Sequence, residues 1–159
     1  MSGIAKTNAA RLLDGLGIAY SLHNAPVDVH DLSAVTMAHS LHVSEDIVFK
    51  TLVLRGDKNG VLMACIPAAA ELDLKKLAAA TGNKQVHMVL LKEVQGLTGY
   101  IRGGCSPLAA KKNYPVTIDE TALLYEHIYI SAGQRGVQLC LAPDDLIAAT
   151  QGQYADILR

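Results

Sequence analysis

The segment from Ile47 to Leu54, IVFKTLVL, is apolar on both of the faces that a β-strand presents in alternation. This pattern is typical of a central strand that is buried on both sides. After the turn residues GDKNG, a second apolar segment runs from Val61 to Ile66, and the two segments together are typical of a β-hairpin. The chain is therefore expected to fold around a sheet that contains this hairpin.

Helices and further short strands are predicted on either side of the hairpin. Apolar spacing and N-cap residues predict helices at Asn8 to Leu16, from an N-cap near Asp31, from Asp73 to Gly82, and from an N-cap at Asp144 or Asp145. Short strands are predicted at Ile18 to His23, Val86 to Val89, Tyr100 to Arg102, Val116 to Ile118, His127 to Ser131 and Val137 to Leu141. With no linker or repeat in the sequence, we expect one α+β domain, residues 1–159, with a mixed, mainly antiparallel sheet and flanking helices.

The composition indicates a folded protein and gives two opposing signals about nucleic acid. Half of the 159 residues are apolar and 18% are charged, which is unlike a disordered chain. The net charge of -1 argues, taken alone, against a free-standing DNA or RNA binder, which is usually strongly basic. Residues 50 to 112, however, hold ten basic and four acidic side chains. That excess is either a solvated basic face or a surface for an anionic partner.

Cysteine spacing and hydropathy bear on the compartment. The three cysteines are an odd number at wide spacing without a C-x-x-C pair, so neither a disulfide framework nor a zinc knuckle is indicated. The most apolar window, Val61 to Ala70, is too short to span a bilayer and contains Pro67. We therefore expect a reduced, cytoplasmic protein without a membrane segment.

Lys50 is the most informative single residue. It lies in the middle of the apolar strand, and lysine is rarely buried unless it is paired or lines a cavity. One interpretation is a side chain that extends past an open sheet edge into water. The other is an amine at the floor of a pocket, where it can bind a carbonyl or phosphate oxygen.

Two glycine-containing loops are further candidates. The segment Gly99 to Pro107, GYIRGGCSP, is either a tight turn or a loop whose bare N–H groups bind a carbonyl or phosphate oxygen. It lacks the G-x-x-x-x-G-K-[ST] pattern of a phosphate loop. The segment Ser131 to Gly136, SAGQRG, is most simply a hairpin turn, in which Ser131 and Arg135 are possible polar groups of a pocket.

Other catalytic interpretations receive little support. Cys105 invites a role as a nucleophile with His87 or His127 as its base, but no pattern brings a histidine near it. His39 and His42 could share a metal ion, yet no third ligand is indicated, so no metal or cofactor is expected. Asp145 is either a helix N-cap or a carboxylate that faces the pocket.

Six motifs occur in a recognisable order along the chain. They are FKTLV from Phe49, LDLKKLA from Leu72, TGYIRGGCSPL from Thr98, the pair Lys111 and Lys112, ISAGQRG from Ile130, and LAPDDL from Leu141. Their order and spacing resemble the YbaK/EbsC family, the Cys-tRNA(Pro) deacylases related to the editing domain of bacterial prolyl-tRNA synthetase. The resemblance covers nearly the whole chain.

The resemblance implies a cytoplasmic trans-editing enzyme that hydrolyses the ester between a mischarged amino acid, chiefly cysteine, and tRNA(Pro). A second sieve of this kind is needed because a hydrophobic pocket separates similar small groups by only a few kcal/mol. The chemistry implied uses the thiol of the substrate itself as nucleophile and requires no cofactor. The implied partners are the acceptor end of the mischarged tRNA and prolyl-tRNA synthetase, not DNA or a membrane.

The resemblance also implies roles for particular residues. Lys50 is expected to contact the aminoacyl end of the substrate. The loop residues Gly103, Gly104 and Ser106 are expected to act in catalysis, because backbone amides there can hold the carbonyl and the terminal ribose. Substrate binding is expected at Pro107, Ser131, Gly133, Arg135 and Asp145. Of these, Asp145 is the expected partner of the ammonium group of the amino acid.

Two departures from the family pattern leave the amino-acid preference open. Ala109 stands where relatives often have glycine after the SPL sequence, and Ala25 stands where some relatives carry a functional tyrosine. An Ala-tRNA(Pro) deacylase is therefore an alternative. A module that binds aminoacyl-tRNA without turnover is another.

Overall fold

The computed structural model describes residues 6–159 as two β-sheets with helices packed around them. The strands are β1 (Ser21–Asn24), β2 (Phe49–Gly56), β3 (Gly60–Pro67), β4 (Val86–Met88), β5 (Val116–Asp119), β6 (Ile128–Gln134), β7 (Val137–Leu141) and β8 (Gln153–Ala155). One sheet has the order β4-β2-β3-β5-β8 and the other the order β1-β7-β6. Only the β3–β5 and β5–β8 pairs are parallel among the named strands. The predicted α+β class with a mixed, mainly antiparallel sheet is therefore confirmed.

The predicted hairpin lies inside the larger sheet. β2 and β3 pair over their whole length, from Phe49 opposite Pro67 to Gly56 opposite Gly60. Large apolar side chains from both strands are fully buried, among them Phe49, Leu54 and Ile66. Burial of such side chains stabilises the folded state by roughly 1.5–3 kcal/mol each. The hairpin therefore contributes much of the buried apolar surface that stabilises the larger sheet.

The two sheets meet at the start of β2. Val48 forms an isolated parallel bridge with Tyr129 of β6. The amide of Tyr129 donates to the carbonyl of Ile47 at 2.8 Å, and the amide of Ala68 donates to the carbonyl of Val48 at 2.8 Å. The backbone on both sides of Val48 is thereby held between the two sheets. Lys50, two residues further, lies beside this junction.

Within residues 6–159, five α-helices surround the sheets, namely α1 (Asn8–Gly15), α2 (Ala34–Ser40), α3 (Leu74–Thr81), α4 (Val94–Thr98) and α5 (Pro143–Thr150). The bounds of α3 agree with the prediction, because Asp73 caps its N-terminus and Gly82 ends it with a φ of 74°. The apolar side of α1 packs into the main core together with residues of β6 and β7. No helix in residues 6–159 is long and apolar enough to cross a membrane.

Two predicted N-caps are wrong. The N-cap of α2 is Ser33, and the carboxylate of Asp31 instead accepts hydrogen bonds from the amide of Ser33 and the hydroxyl of Thr36. The N-cap of α5 is Ala142, because Pro143 occupies the first turn, where its fixed φ and missing N–H cost nothing. Asp144 and Asp145 therefore lie within the first turn of α5, where a negative charge is favourable.

The predicted strand at Tyr100 to Arg102 is also wrong, because this segment is a loop. Gly99, with a φ of 83°, ends α4, and Gly103, with a φ of 83°, turns the chain again. Two left-handed residues so close together leave no room for a strand. α4 and β8 were not predicted, and the predicted strand at Ile18 to His23 begins only at Ser21.

Candidate active site

A cavity of about 400 Å³ opens beside the junction of the two sheets. Its walls come from β2, from α2 and the residues before it, from the loop after α4, and from β6 and β7. Another cavity of about 350 Å³, near the end of α3, is lined by no charged side chain. The cavity at the junction therefore combines volume with chemically useful groups.

Lys50 lines this cavity and is half-buried. On the edge of β2 away from β3, β4 pairs with residues Leu54 to Gly56 and β6 bridges at Val48, so Lys50 lies between the two paired regions. This position agrees with the pocket interpretation of Lys50.

The electrostatic environment leaves the Lys50 ammonium free to bind a ligand. Burial lowers its pKa from the ordinary value of 10.5, and attraction by Glu71 partly offsets this effect. Glu71 itself is paired with Arg159, whose Nη1 lies 3.1 Å from Oε2. Among residues 6–159, Lys50 forms no ion pair. The amine can therefore donate to an oxygen of a bound molecule.

Gly103 brings exposed backbone to the cavity mouth. It lines the cavity, and a Cβ at this position would lie 3.3 Å from two side-chain carbons of Leu32. Its N–H donates to no acceptor within residues 6–159. Gly104, in contrast, donates to the carbonyl of Ile101 at 2.9 Å. Of the two adjacent glycines, Gly103 is thus the one that can offer an amide to a substrate.

Contacts with the β6–β7 turn hold this loop in place. Arg135 Nε donates to the carbonyl of Arg102 at 2.7 Å. A Cβ on Gly104 would lie 3.3 Å from the amide nitrogen of Arg135, so the two segments touch through their backbones. Tyr100 packs against Gly133 and donates its hydroxyl to the carbonyl of Leu108. Gly104, Gly133 and Arg135 therefore position the loop, while Lys50, Gly103 and Ser131 line the cavity.

The remaining predicted site residues lie elsewhere. Ser106 is fully buried and its hydroxyl accepts the amide proton of Leu108, which is a turn-forming contact. Pro107 lines a different cavity, of about 450 Å³, between α1 and α5. Asp145 is half-buried in the first turn of α5. The described residues that line the cavity beside Lys50 include no carboxylate.

Two lining residues are additions to the predicted set of site residues. Cys105 lines the cavity, and burial raises the pKa of its thiol to about 11, so the thiol is protonated at neutral pH. No histidine is among the described residues that line this cavity. Gln138 of β7 also lines it and lies directly opposite Ser131 of β6. Its signal in the sequence is a polar residue within the apolar strand VQLCL.

The described residues hold no cluster of three or more His, Cys, Asp or Glu side chains that could bind a metal ion. His39 lies in α2, 3.7 Å from a carboxylate oxygen of Glu45, whereas His42 lies beyond the helix with a φ of 58°. The prediction that both histidines lie on one helix is therefore wrong.

Replacing Gly133 by alanine should destabilise the fold. Gly133 has a φ of 95°, and a Cβ there would lie 2.7 Å from Cε1 of Tyr100. Strain and overpacking together should cost about 1–3 kcal/mol, which for a chain of this size lowers Tm by roughly 2–10 °C. Thermal denaturation followed by circular dichroism measures the effect. Gly96→Ala is the matched control, because Gly96 lies in α4 with nothing within 4 Å of its Cβ position and should leave Tm unchanged or slightly raised. An unchanged Tm in Gly133→Ala would contradict the proposed packing.

Comparison with known proteins identifies relatives over nearly the whole chain. Residues 29–149 match the aminoacyl-tRNA editing domain family. EbsC of Enterococcus faecalis, named as a candidate Cys-tRNA(Pro)/Cys-tRNA(Cys) deacylase, is 46% identical over 152 residues, which is 96% of this chain and 93% of that protein. The crystal structure of a hypothetical protein superposes with a TM-score of 0.87 at 25% identity and covers 96% of this chain and 100% of its own.

A second crystal structure, that of a candidate trans-editing enzyme for prolyl-tRNA synthetase, has the same fold. It superposes with a TM-score of 0.83 at 24% identity and covers 98% of this chain and 99% of its own. The family match includes every element that lines the cavity, from α2 to β7. The chain therefore belongs to the aminoacyl-tRNA editing domain family.

Proposed function

We propose that this protein is an aminoacyl-tRNA deacylase that removes cysteine mistakenly attached to tRNA(Pro). The observation that carries the proposal is a cavity lined by the ammonium of Lys50 and the backbone amide of Gly103, neither of which has an ion-pair or hydrogen-bond partner within residues 6–159. Donors of this kind stabilise the negative charge that develops on an ester carbonyl oxygen during acyl transfer. The relationship to EbsC supports cysteine as the amino acid removed.

The substrate itself supplies the nucleophile in this proposal. The described lining offers no carboxylate or histidine that could act as a base, and its one thiol, Cys105, is protonated. The sulfur of the bound cysteine instead attacks its own ester carbonyl and forms a carbon–sulfur bond. The carbon–oxygen bond to the ribose breaks, the ribose oxygen gains a proton in place of the one lost by the thiol, and a cyclic thiolactone leaves. Proximity of the two reacting groups supplies much of the rate enhancement.

We propose that prolyl-tRNA synthetase brings the mischarged tRNA(Pro) to this enzyme in the cytoplasm. The net charge of -1 predicts few phosphate contacts, and hence weak binding of free tRNA. The basic excess of residues 50 to 112 lies in the part of the chain that supplies Lys50 and the Gly103 loop. This local charge is suited to an acceptor end that a partner has already positioned.

The experiment that tests the function compares purified Cys-tRNA(Pro) and Ala-tRNA(Pro) as substrates. Deacylation of the cysteinyl ester well above its spontaneous rate, with the alanyl ester near its own background, is the expected result. Hydrolysis of both esters at similar rates would instead indicate an alanine-removing enzyme. Loss of neither ester would leave a module that binds without turnover.

Replacing Cys105 by serine should change the deacylation rate by less than about threefold. The thiol of Cys105 is protonated and lacks a base, so it cannot act as a nucleophile, and serine preserves its size closely. Single-turnover deacylation of Cys-tRNA(Pro) measures the effect. A loss of several orders of magnitude in a folded variant would make Cys105 the nucleophile and would exclude the mechanism given above.

A further inference from the structure

Gln138 carries a buried oxygen that the fold does not satisfy. Its side chain is 6% exposed, and its Oε1 has no hydrogen-bond partner among residues 6–159. It lies on the wall of the cavity that contains Lys50, directly opposite Ser131. More than nine in ten buried polar groups in proteins are hydrogen-bonded, so an unpaired acceptor in a residue that lines a cavity points to a donor on the ligand.

The other polar side chains of the cavity either carry only donors or already have a hydrogen-bond partner. Lys50 and Arg102 carry only donors. The hydroxyl of Ser131 already accepts the amide proton of Gly133 at 3.1 Å, and the hydroxyl of Ser33 accepts from the amide of Thr36. The hydroxyl of Thr51 lies 3.7 Å from the sulfur of Cys65. Among the described lining residues, which include no carboxylate, Gln138 Oε1 is thus the buried side-chain acceptor that has no partner.

We propose that Gln138 Oε1 accepts a hydrogen bond from the α-ammonium of the aminoacyl group and thereby orients the ester. This role rests on the proposed deacylase function. The ammonium is the strongest donor that an aminoacyl ester presents, and the positive charge of Lys50 repels it. The ester carbonyl therefore lies toward Lys50 and the ammonium toward Gln138. Asp145, the residue that the family pattern suggested for the ammonium, lies in α5 and does not line this cavity.

The variant Gln138→Leu removes the acceptor while nearly keeping the side-chain volume. Its kcat/KM for Cys-tRNA(Pro) should fall about ten- to hundredfold, the range expected for a hydrogen bond to a charged group. For 3-mercaptopropionyl-tRNA(Pro), which has the thiol but lacks the ammonium, the fall should be less than about threefold. Equal losses on the two substrates would overturn the proposal.

Binding of two non-hydrolysable probes separates this role from the deacylase function. The probes are 3′-cysteinylamino-3′-deoxyadenosine and its counterpart without the α-amino group. Calorimetry should show that Gln138→Leu weakens the first by about ten- to hundredfold and the second by less than about threefold. If the wild type deacylates no ester, the deacylase function fails, while this difference in affinity still decides the role of Gln138. Gln138→Glu retains an acceptor and should keep most of the affinity for the first probe; a loss as large as that of Gln138→Leu would count against the proposal.

Thermal stability distinguishes a ligand-binding role of Gln138 from a structural role, because the two roles predict opposite changes in Tm. Replacing an unsatisfied buried acceptor by an apolar group of similar shape is neutral or stabilising. The Tm of Gln138→Leu should therefore equal or exceed that of the wild type although its activity falls. A lowered Tm would indicate that Gln138 serves the fold and would overturn the proposal.

Discussion

Replacing Lys50 by alanine should lower kcat/KM for Cys-tRNA(Pro) by about 10²–10³-fold, the effect of losing one well-placed donor to a developing oxyanion. The residue lines the cavity without an ion-pair partner in residues 6–159, so its charge is directed at whatever the cavity binds. Single-turnover deacylation with purified enzyme measures the effect. Activity close to the wild type in a folded variant would remove Lys50 from the mechanism.

The stability of a Lys50 variant gives the matching control. Burial lowers the pKa of Lys50 below its ordinary 10.5, so keeping the side chain charged in the folded state costs free energy. That cost is fully present below the folded-state pKa and disappears as the pH rises through the unfolded-state pKa. Lys50→Met should therefore be at least as stable as the wild type at pH 7, and the difference should shrink as the pH rises from the folded-state pKa to 10.5 and be lost above it. Loss of activity with retained Tm would assign Lys50 to the reaction and not to the fold.

A substrate whose thiol is blocked should resist the enzyme. S-methylcysteinyl-tRNA(Pro) keeps the ester and the ammonium but has no sulfur nucleophile, so its deacylation should fall at least about 10²-fold, toward the spontaneous rate. The large value follows from the effective molarity of a well-oriented intramolecular group, which reaches about 10⁵–10⁸ M in favourable cases.

Two measurements accompany this comparison. Competition of the methylated ester with Cys-tRNA(Pro) shows that the blocked substrate still binds, so that the loss is chemical. Mass spectrometry of the released amino acid after a short reaction should detect the thiolactone before it hydrolyses. Rapid turnover of the methylated ester would require a nucleophile from the protein or from water, contrary to the mechanism proposed.

The interior of the fold was predictable where local pattern and tertiary environment agree. The alternation in Ile47 to Leu54 indicates burial on both faces, and the same alternation makes Lys50 conspicuous within it. The bounds of α3 follow from Asp73 and Gly82, since each acts through its own backbone geometry. The series of six motifs indicates the family from the sequence alone.

The predictions were wrong or incomplete where two local sequence signals competed, or where pairing between distant segments determined the burial of a residue. The helix α5 begins at Pro143 and not after Asp144 or Asp145, because the proline ring fixes φ at a helical value. In β7, the alternation around Gln138 looks like a strand with a solvent-exposed face, but β7 lies between β1 and β6 in its sheet and the side chain of Gln138 is 6% exposed. Such burial depends on pairing between segments far apart in the chain. The sequence pattern therefore marks Gln138 as a polar residue in an apolar strand but does not indicate that it is buried beside the cavity.

The bridge between Val48 and Tyr129 has a consequence for when activity arises during folding. The cavity takes its walls from residues as far apart as Leu32 and Gln138, and the segments close around Lys50 only when both sheets are in place. Contacts of such long sequence separation form slowly because chain closure must come first. A nascent or partly unfolded chain would therefore contain Lys50 but no enclosed site, and ester cleavage would begin only once both sheets are formed.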